Sequence, residues 1–419
     1  MLCSATLSVP GHALMNEDSL ARLKVLSAGI LSLVLTLGIA RFAYTPLLPV
    51  MQAQAGLGLA EGGWLASINY IGYFLGAIIA SLINDVVLKD RLYRLGLVLA
   101  VVTTVGMGLT QDIYWWSLYR FIAGLCSAAG LLLGSGLILN WLIRHDHRSE
   151  LGVHFAGVGL GIFVCAAAVE WMNVALSWDE QWLALSALGC LLLLPSWAWL
   201  PAPDRSSQTR TGKAMTDRVP DAVFMRLFIL AYFCAGVGYV ISATFIVAIV
   251  DALPGLEGGG NRVFMVLGLA AAPACILWDL IARRMGNVNA LIAAFVVQIA
   301  GIVLPLLGSG LGLMMLSAVL FGGTFIGIVS LVLTMAGRYY PTRPARMMGK
   351  MTISYGIAQI TAPAITGFIA ESQGGYRAGL YLAAAVMLLG VVFMCWLKRH
   401  DPERPGAGAD PAQTRENTV

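Results

Sequence analysis

Three ionisable residues stand inside runs that are otherwise apolar: Arg41, Arg120 and Glu170. An ionised side chain at bilayer depth costs about 2.5–3.5 kcal/mol on insertion scales, so such residues face a bundle interior or a wet cavity. Arg41 lies ten residues before Met51, about 15 Å of helix, and seventeen after Lys24, about 26 Å. Arg120 lies eight residues from Asp112, about 12 Å, and Glu170 seven before Ser177, about 10 Å. Counted from the nearer helix ends, the three charges therefore share a level. A guanidinium held there recruits an anion, and a carboxylate there carries a proton. The plainer alternative for Arg41 is a side chain that snorkels to the surface along its apolar stem.

Neutral polar residues extend the candidate set. Tyr44 follows Arg41 by three positions and so shares its helix face, and Asn69 and Tyr73 are four apart with the same consequence. Tyr239, Thr244 and Gln359 lie at comparable depth in later apolar runs. The expected substrate-binding residues are thus Arg41, Tyr44, Asn69, Tyr73, Arg120, Tyr239, Thr244 and Gln359, with Glu170 and Arg120 as the proton-coupling pair. Each polar residue would serve equally well in an interhelical hydrogen bond. His154 is expected to be packed rather than part of a relay. Gly157-Val-Gly159-Leu-Gly161 lacks GxGxxG spacing and a preceding strand, so close helix packing explains it better than a dinucleotide turn. His145 and His147 have no further ligands nearby for a metal. No CxxC occurs among the seven cysteines, and no GxxxxGK(S/T) is present, so no metal, nucleotide or other cofactor is expected.

The elements that must position these residues are long apolar helices. Hydrophobic residues make up 58% of the 419 and charged residues 11%, against about 25% charged in soluble domains. Twelve apolar segments can be marked off, nearly all longer than the roughly 20 residues a helical span requires. Of the 26 Lys and Arg residues, all but Arg41, Arg120, Arg262 and Arg377 fall on one side of these segments. The positive-inside rule then places both termini in the cytoplasm. Residues 201–221 form the one long polar connection and divide the spans six and six. The expected organisation is a cytoplasmic tail over 1–22, a six-helix bundle over 23–200, a cytoplasmic linker over 201–221, a second bundle over 222–398 and a tail over 399–419. The opening residues lack a basic region before an apolar stretch and make a poor signal peptide, and Met15 stands as an alternative start. Two six-helix halves point to internal duplication with a path between them.

Several local patterns resemble the major facilitator superfamily (MFS). Arg120-Phe-Ile-Ala-Gly124-Leu-Cys-Ser-Ala128 is similar to its fourth-span RxxxGxxxA motif. The loop motif GxxxD(R/K)xGRR is echoed by Asp85, Lys89, Arg91 and Arg94 without the glycines, and again in the second half by Asp279, Arg283, Arg284 and Gly286. RFAYTPLLP in span one and GWLASINYIGYFLGA in span two resemble the YbfB/YjiJ-type bacterial branch. The resemblance implies an all-α fold of twelve transmembrane helices in two pseudo-symmetric bundles. It also implies a cytoplasmic latch formed from Asp85, Arg91, Arg94, Asp279, Arg283 and Arg284. Arg41 stands eight residues before Pro49, the offset of a substrate-binding arginine in organophosphate:phosphate exchangers, but span seven carries no partner arginine. Exporters of the superfamily carry GxxxGPxxGG in span five; the glycines at 157–161 depart from it. In the superfamily's arrangement spans one, four and five adjoin, so Glu170 is within reach of either arginine for an ion pair, functional or merely structural.

The expectation is a transporter, not an enzyme, in a bacterial inner membrane. It would move a small organic solute, an anion drawn to Arg41, by alternating access with protons as coupling ion, and would act as a monomer with no nucleic-acid partner. The alternatives are an exporter of hydrophobic or cationic compounds recognised by Glu170, and a non-transporting sensor on the same scaffold.

Overall fold

A backbone that crosses hydrocarbon must pair every N–H and C=O within itself, and among the described residues this chain does so with helices alone. The computed structural model describes residues 11–147, 151–204, 215–251, 253–256, 259–373 and 377–400. The first half comprises α1 (Gly11–Leu33), a π-helical segment (Val34–Phe42), α2 (Tyr44–Ala55), α3 (Leu59–Leu82), α4 (Val86–Leu109), α5 (Ile113–Ala128), a second π-helical segment (Ala129–Gly134), α6 (Ser135–Arg144), α7 (Gly152–Met172) and α8 (Trp178–Ala198). The second half comprises α9 (Ala222–Asp251), α10 (Gly260–Met285), α11 (Asn287–Leu307), α12 (Leu311–Tyr339), α13 (Pro344–Gln373) and α14 (Arg377–Leu397).

Among the described residues eleven helical stretches are long and apolar enough to cross a membrane, and α13, with 30 residues, is the twelfth long helix. Spans one and four each run continuously through a π segment, as Asp18–Leu48 and Ile113–Arg144. The first helix begins at Gly11, inside the stretch expected to be a tail. Residues 1–10, 205–214 of the linker and 401–419 of the second tail lie outside the described residues. Large apolar side chains such as Leu118, Leu191, Leu194, Leu388 and Val392 face outward, which suits a lipid surround and not water.

Within lipid, helices associate through close backbone approach at small residues. Span two packs on span four in this way. A Cβ at Gly72 would collide with the Phe121 carbonyl, one at Gly124 with the Asn69 carbonyl, and one at Gly76 with the Ala128 methyl group at 2.5 Å. These contacts give the spacing Arg120–Gly124–Ala128 its physical meaning: one face of α5 is kept bare for α3. The corresponding pair in the second half, α10 and α12, meets at Gly322 against the Leu267 backbone.

The halves meet along α7 with α10 and α3 with α13. Gly159 abuts the backbone of Ala271 and Ala272, and Gly349 lies against the Ala77 and Ser81 backbone. One end of this seam, where most Lys and Arg residues cluster, is tightly closed. There Gly136 meets Ala345, Gly337 meets Leu139, and Arg346 Nη1 donates to Asn84 Oδ1 at 3.2 Å. At the same end the backbone N–H of Gly152, opening α7, donates to Asp279 Oδ2 at 2.7 Å.

Candidate functional site

Arg41 sits on the π-helical segment of the first span. Pro46 has no N–H to offer the carbonyl four residues before it, and the chain widens just upstream, with Ala43 N–H donating five residues back to Gly38 O at 2.9 Å. Such π turns inside α-helices recur at functional sites. Arg41 is 6% exposed. Its Cζ lies 4.6 Å from the Tyr73 ring centroid, 4.9 Å from Tyr70 and 5.3 Å from Phe42. Aromatic rings so placed stabilise a desolvated cation through their quadrupoles. Arg41 forms no ion pair with a described acid.

Arg120 is held differently. Its Nη1 donates to the carbonyls of Ala40 (3.2 Å) and Arg41 (3.3 Å), and its Nε to Leu65 O (3.3 Å). Its Cζ lies 4.4 Å from the Tyr44 ring centroid. The guanidinium fork thereby joins spans one, two and four through main-chain acceptors. Asn69 completes the junction by donating from Nδ2 to Arg120 O at 2.8 Å, and Tyr44 OH donates to Gly62 O at 2.8 Å.

Between the halves lies a cavity of about 220 Å³. The first half lines it with Arg41, Arg120, Phe42, Tyr44, Thr45, Leu48, Asn69, Tyr70 and Ile162 among others; the second half supplies Tyr239, Ala243, Thr244, Phe264, Leu267 and Phe325. Two guanidinium groups enter this lining and no carboxylate does. The cavity extends from Arg41 toward Leu48 and Gly62, away from the basic end. Beneath it toward that end, Tyr239 stacks on Tyr355 (centroids 5.7 Å apart) and Tyr355 on Tyr232 (4.6 Å), and these rings are buried together with Tyr73.

Six of the eight expected binding residues therefore meet in one cavity: Arg41, Tyr44, Asn69, Arg120, Tyr239 and Thr244. Tyr73 lies outside the lining, under Arg41. Gln359 is buried on α13 outside the lining, its Oε1 without a hydrogen-bond partner. Phe42, Tyr70, Phe264 and Phe325 line the cavity and are not singled out by the sequence; as aromatics in apolar runs they read as core.

The expected level of Glu170 and its pairing with an arginine require a correction. It is exposed, its Oε2 accepts from Asn261 Nδ2 at 2.8 Å, and it pairs with neither arginine. The helix rise explains the discrepancy. Gly161 packs against Gly38, so Arg41 stands three residues above that contact and Glu170 nine, a difference in level of about 9 Å. Depth counted from span ends concealed this offset. Glu170 instead links α7 to α10 at the end opposite the basic one.

The expected latch residues also divide. Asp279 reaches across the halves to Gly152. Asp85 caps its own helix, accepting from Val87 N–H at 3.1 Å, and Arg91, Arg283 and Arg284 are exposed. Arg94 is turned inward on its own half: it pairs with Asp90 at 2.9 Å and donates to Trp197 O (2.7 Å) and Leu200 O (2.9 Å), tying α4 to the end of α8. His154 is fully buried, with Nε2 at 2.8 Å from Ser135 Oγ. Among the described residues no three His, Cys, Asp or Glu side chains stand together as metal ligands.

Comparison with known proteins agrees with this architecture. The chain is 23% identical over 272 residues to the uncharacterized MFS-type transporter YceJ of Bacillus subtilis, covering 64% of this chain and 69% of that one. It is 24% identical over 158 residues to the niacin transporter NiaP of Acinetobacter baylyi, covering 38% of this chain and 33% of that one. Among solved structures, the human organic anion transporter MFSD10 (TETRAN) superposes with a TM-score of 0.69 at 14% identity, covering 89% of this chain and 99% of that one. A mutant of the nucleoside transporter NupG gives 0.62 at 13%, covering 90% and 99%. The family model described as "Uncharacterised MFS-type transporter YbfB" matches residues 33–395, and the chain belongs to that family of membrane transporters.

Proposed function

We propose that this MFS transporter carries a small organic anion by alternating access, with Arg41 as the recognition charge and protons as the coupling ion. One observation carries the reading: the cavity between the halves holds two guanidinium groups and no carboxylate. Buried charge without a counter-ion is costly, and an anionic cargo would supply the missing partner to Arg41. Arg120 already uses Nε and Nη1 on main-chain carbonyls, so its part is to fix the cavity wall. The cargoes named for the niacin transporter, MFSD10 and NupG differ, so the reading rests on the cavity's own charge.

The basic end is the cytoplasmic one by the positive-inside rule. Its closure by Asp279, Arg346 and the glycine contacts, with the cavity lying on the other side, corresponds to an outward-facing state. Rocking the halves about the seam would exchange these contacts for closure at the Glu170–Asn261 end. Glu170, exposed there, is the acid in contact with both halves and with the outer solution, which makes it our candidate proton carrier. A cation exporter would need this carboxylate in the cavity, and it is not part of the lining.

Ligand-induced thermal stabilisation of the purified protein tests the cargo class, because anything that binds the native state raises its apparent stability by mass action. Organic acids, bases and neutral solutes are screened against the wild type and Arg41→Ala. Stabilisation by an acid that disappears in the variant supports the reading. Stabilisation by bases that survives in the variant overturns it.

A further inference from the structure

We infer that the cargo is a small aromatic carboxylate whose ring lodges among the aromatic residues of the cavity; this rests on the organic-anion reading above. Recognition of charge alone needs one arginine in a polar pocket, and this cavity is built differently. On the second-half side Tyr239 and Phe325 are stacked, centroids 5.2 Å apart and planes 19° from parallel. Phe321 continues the stack behind Phe325 at 5.6 Å and 15°. Three near-parallel rings from two helices thus back one wall. On the first-half side Tyr70 and Phe42 line the same cavity and cover Arg41, whose Cζ lies 4.9 and 5.3 Å from their centroids.

Rings packed over a guanidinium shield its faces, while its N–H donors lie in the plane. A carboxylate binds that edge bidentately, oxygen to N–H. A planar acid bound this way extends its ring from the Arg41 edge toward Tyr239 and Phe325, whose faces are stacked on Tyr355, Phe321 and each other and whose edges are left for the cargo. The volume fixes the scale. At about 220 Å³ the cavity is below the roughly 300–1,000 Å³ of sites for drug-sized ligands, a size that suits a small cargo such as one ring with its carboxylate. Aromatic pairs contribute about 0.5–1.5 kcal/mol beyond area burial, a factor of about 2 to 12 in affinity.

The test is isothermal titration calorimetry of the full-length protein in lipid nanodiscs with three probes of similar size: benzoate, cyclohexanecarboxylate and benzamide. The inference expects benzoate to bind about 2 to 12 times more tightly than cyclohexanecarboxylate. Phe325→Leu should bring the ratio of the two acids' affinities toward one, and benzamide should bind weakly to the wild type. Equal binding of the two acids, both lost in Arg41→Gln, overturns the aromatic inference and leaves the organic-anion reading standing. Benzamide binding as well as benzoate, with no effect of Arg41→Gln, overturns both. Absence of benzoate binding by a protein whose unfolding remains cooperative also counts against the inference.

Discussion

The guanidinium of Arg120 donates to the backbone carbonyl of Arg41 at 3.3 Å, so the two cavity arginines are joined through main chain and not through a shared acid. One is committed to holding the first span in shape, and the other is left facing the cavity. This division of labour separates stability from binding, and it can be measured.

Replacing Arg120 by Lys should destabilise the protein by about 1.5–3 kcal/mol, the range for hydrogen bonds to charged groups. An ammonium group cannot span the carbonyls of Ala40, Arg41 and Leu65 as the planar fork does. Arg41→Gln should leave thermal unfolding nearly unchanged and abolish anion-induced stabilisation. Unfolding curves of both variants, with and without a binding acid, check the contrast; a stable Arg120→Lys would contradict it.

The N–H of Gly152 points a helix N-terminus at Asp279 across the seam. An acid in that position stabilises by about 0.3–2 kcal/mol through the helix dipole. Asp279→Asn should therefore shift the protein toward opening at the basic end, by a factor of about 2 to 30 in the equilibrium. Distances between spin labels placed at the exposed positions Leu88 and Met285 would report it as a growing long-distance population.

Close packing of spans two and four leaves no room at Gly124, where a Cβ would meet Asn69 O. Gly124→Val should prevent stable insertion, with low yield and early aggregation on size-exclusion chromatography. Gly323→Ala is the matched control: nothing lies within 4 Å of a Cβ there, and yield should be unchanged or slightly improved.

Proton coupling through Glu170 predicts that uptake into proteoliposomes is stimulated by an inward proton gradient. Glu170→Gln should remove that stimulation while counterflow exchange of cargo persists. Full stimulation in the variant would move the coupling site elsewhere, with Asp279 the next acid to test.

Much of the fold was legible because hydrocarbon imposes a simple rule. Apolar runs of sufficient length must be helices, and the asymmetry of Lys and Arg orders them. Arg41 and Arg120 announced themselves as charges in such runs. The ranking between them did not, because it depends on which carbonyls the first span leaves available, and a π turn is not written in apolar periodicity. Glu170 was misplaced for a related reason: its depth is set by the packing of Gly161 on Gly38, not by distance from its own helix end. Phe325 and Tyr70 were hidden because an aromatic residue on a cavity wall and one in a packed core have the same neighbours in sequence.

The π-helical segment has a consequence for how the first span is aimed. An α-helix turns by about 100° per residue, and a π turn takes up a residue more than its α counterpart. Everything from Tyr44 onward is therefore out of rotational phase with the helix that starts at Gly11. The lower part of the span addresses the interior of its own half, through Gly29 against His154 and Ile138. The upper part presents Tyr44, Thr45 and Leu48 to the gap between the halves. The π segment over Val34–Phe42 works as a fixed swivel that sets the angle between these two parts, and Arg41 is mounted on it.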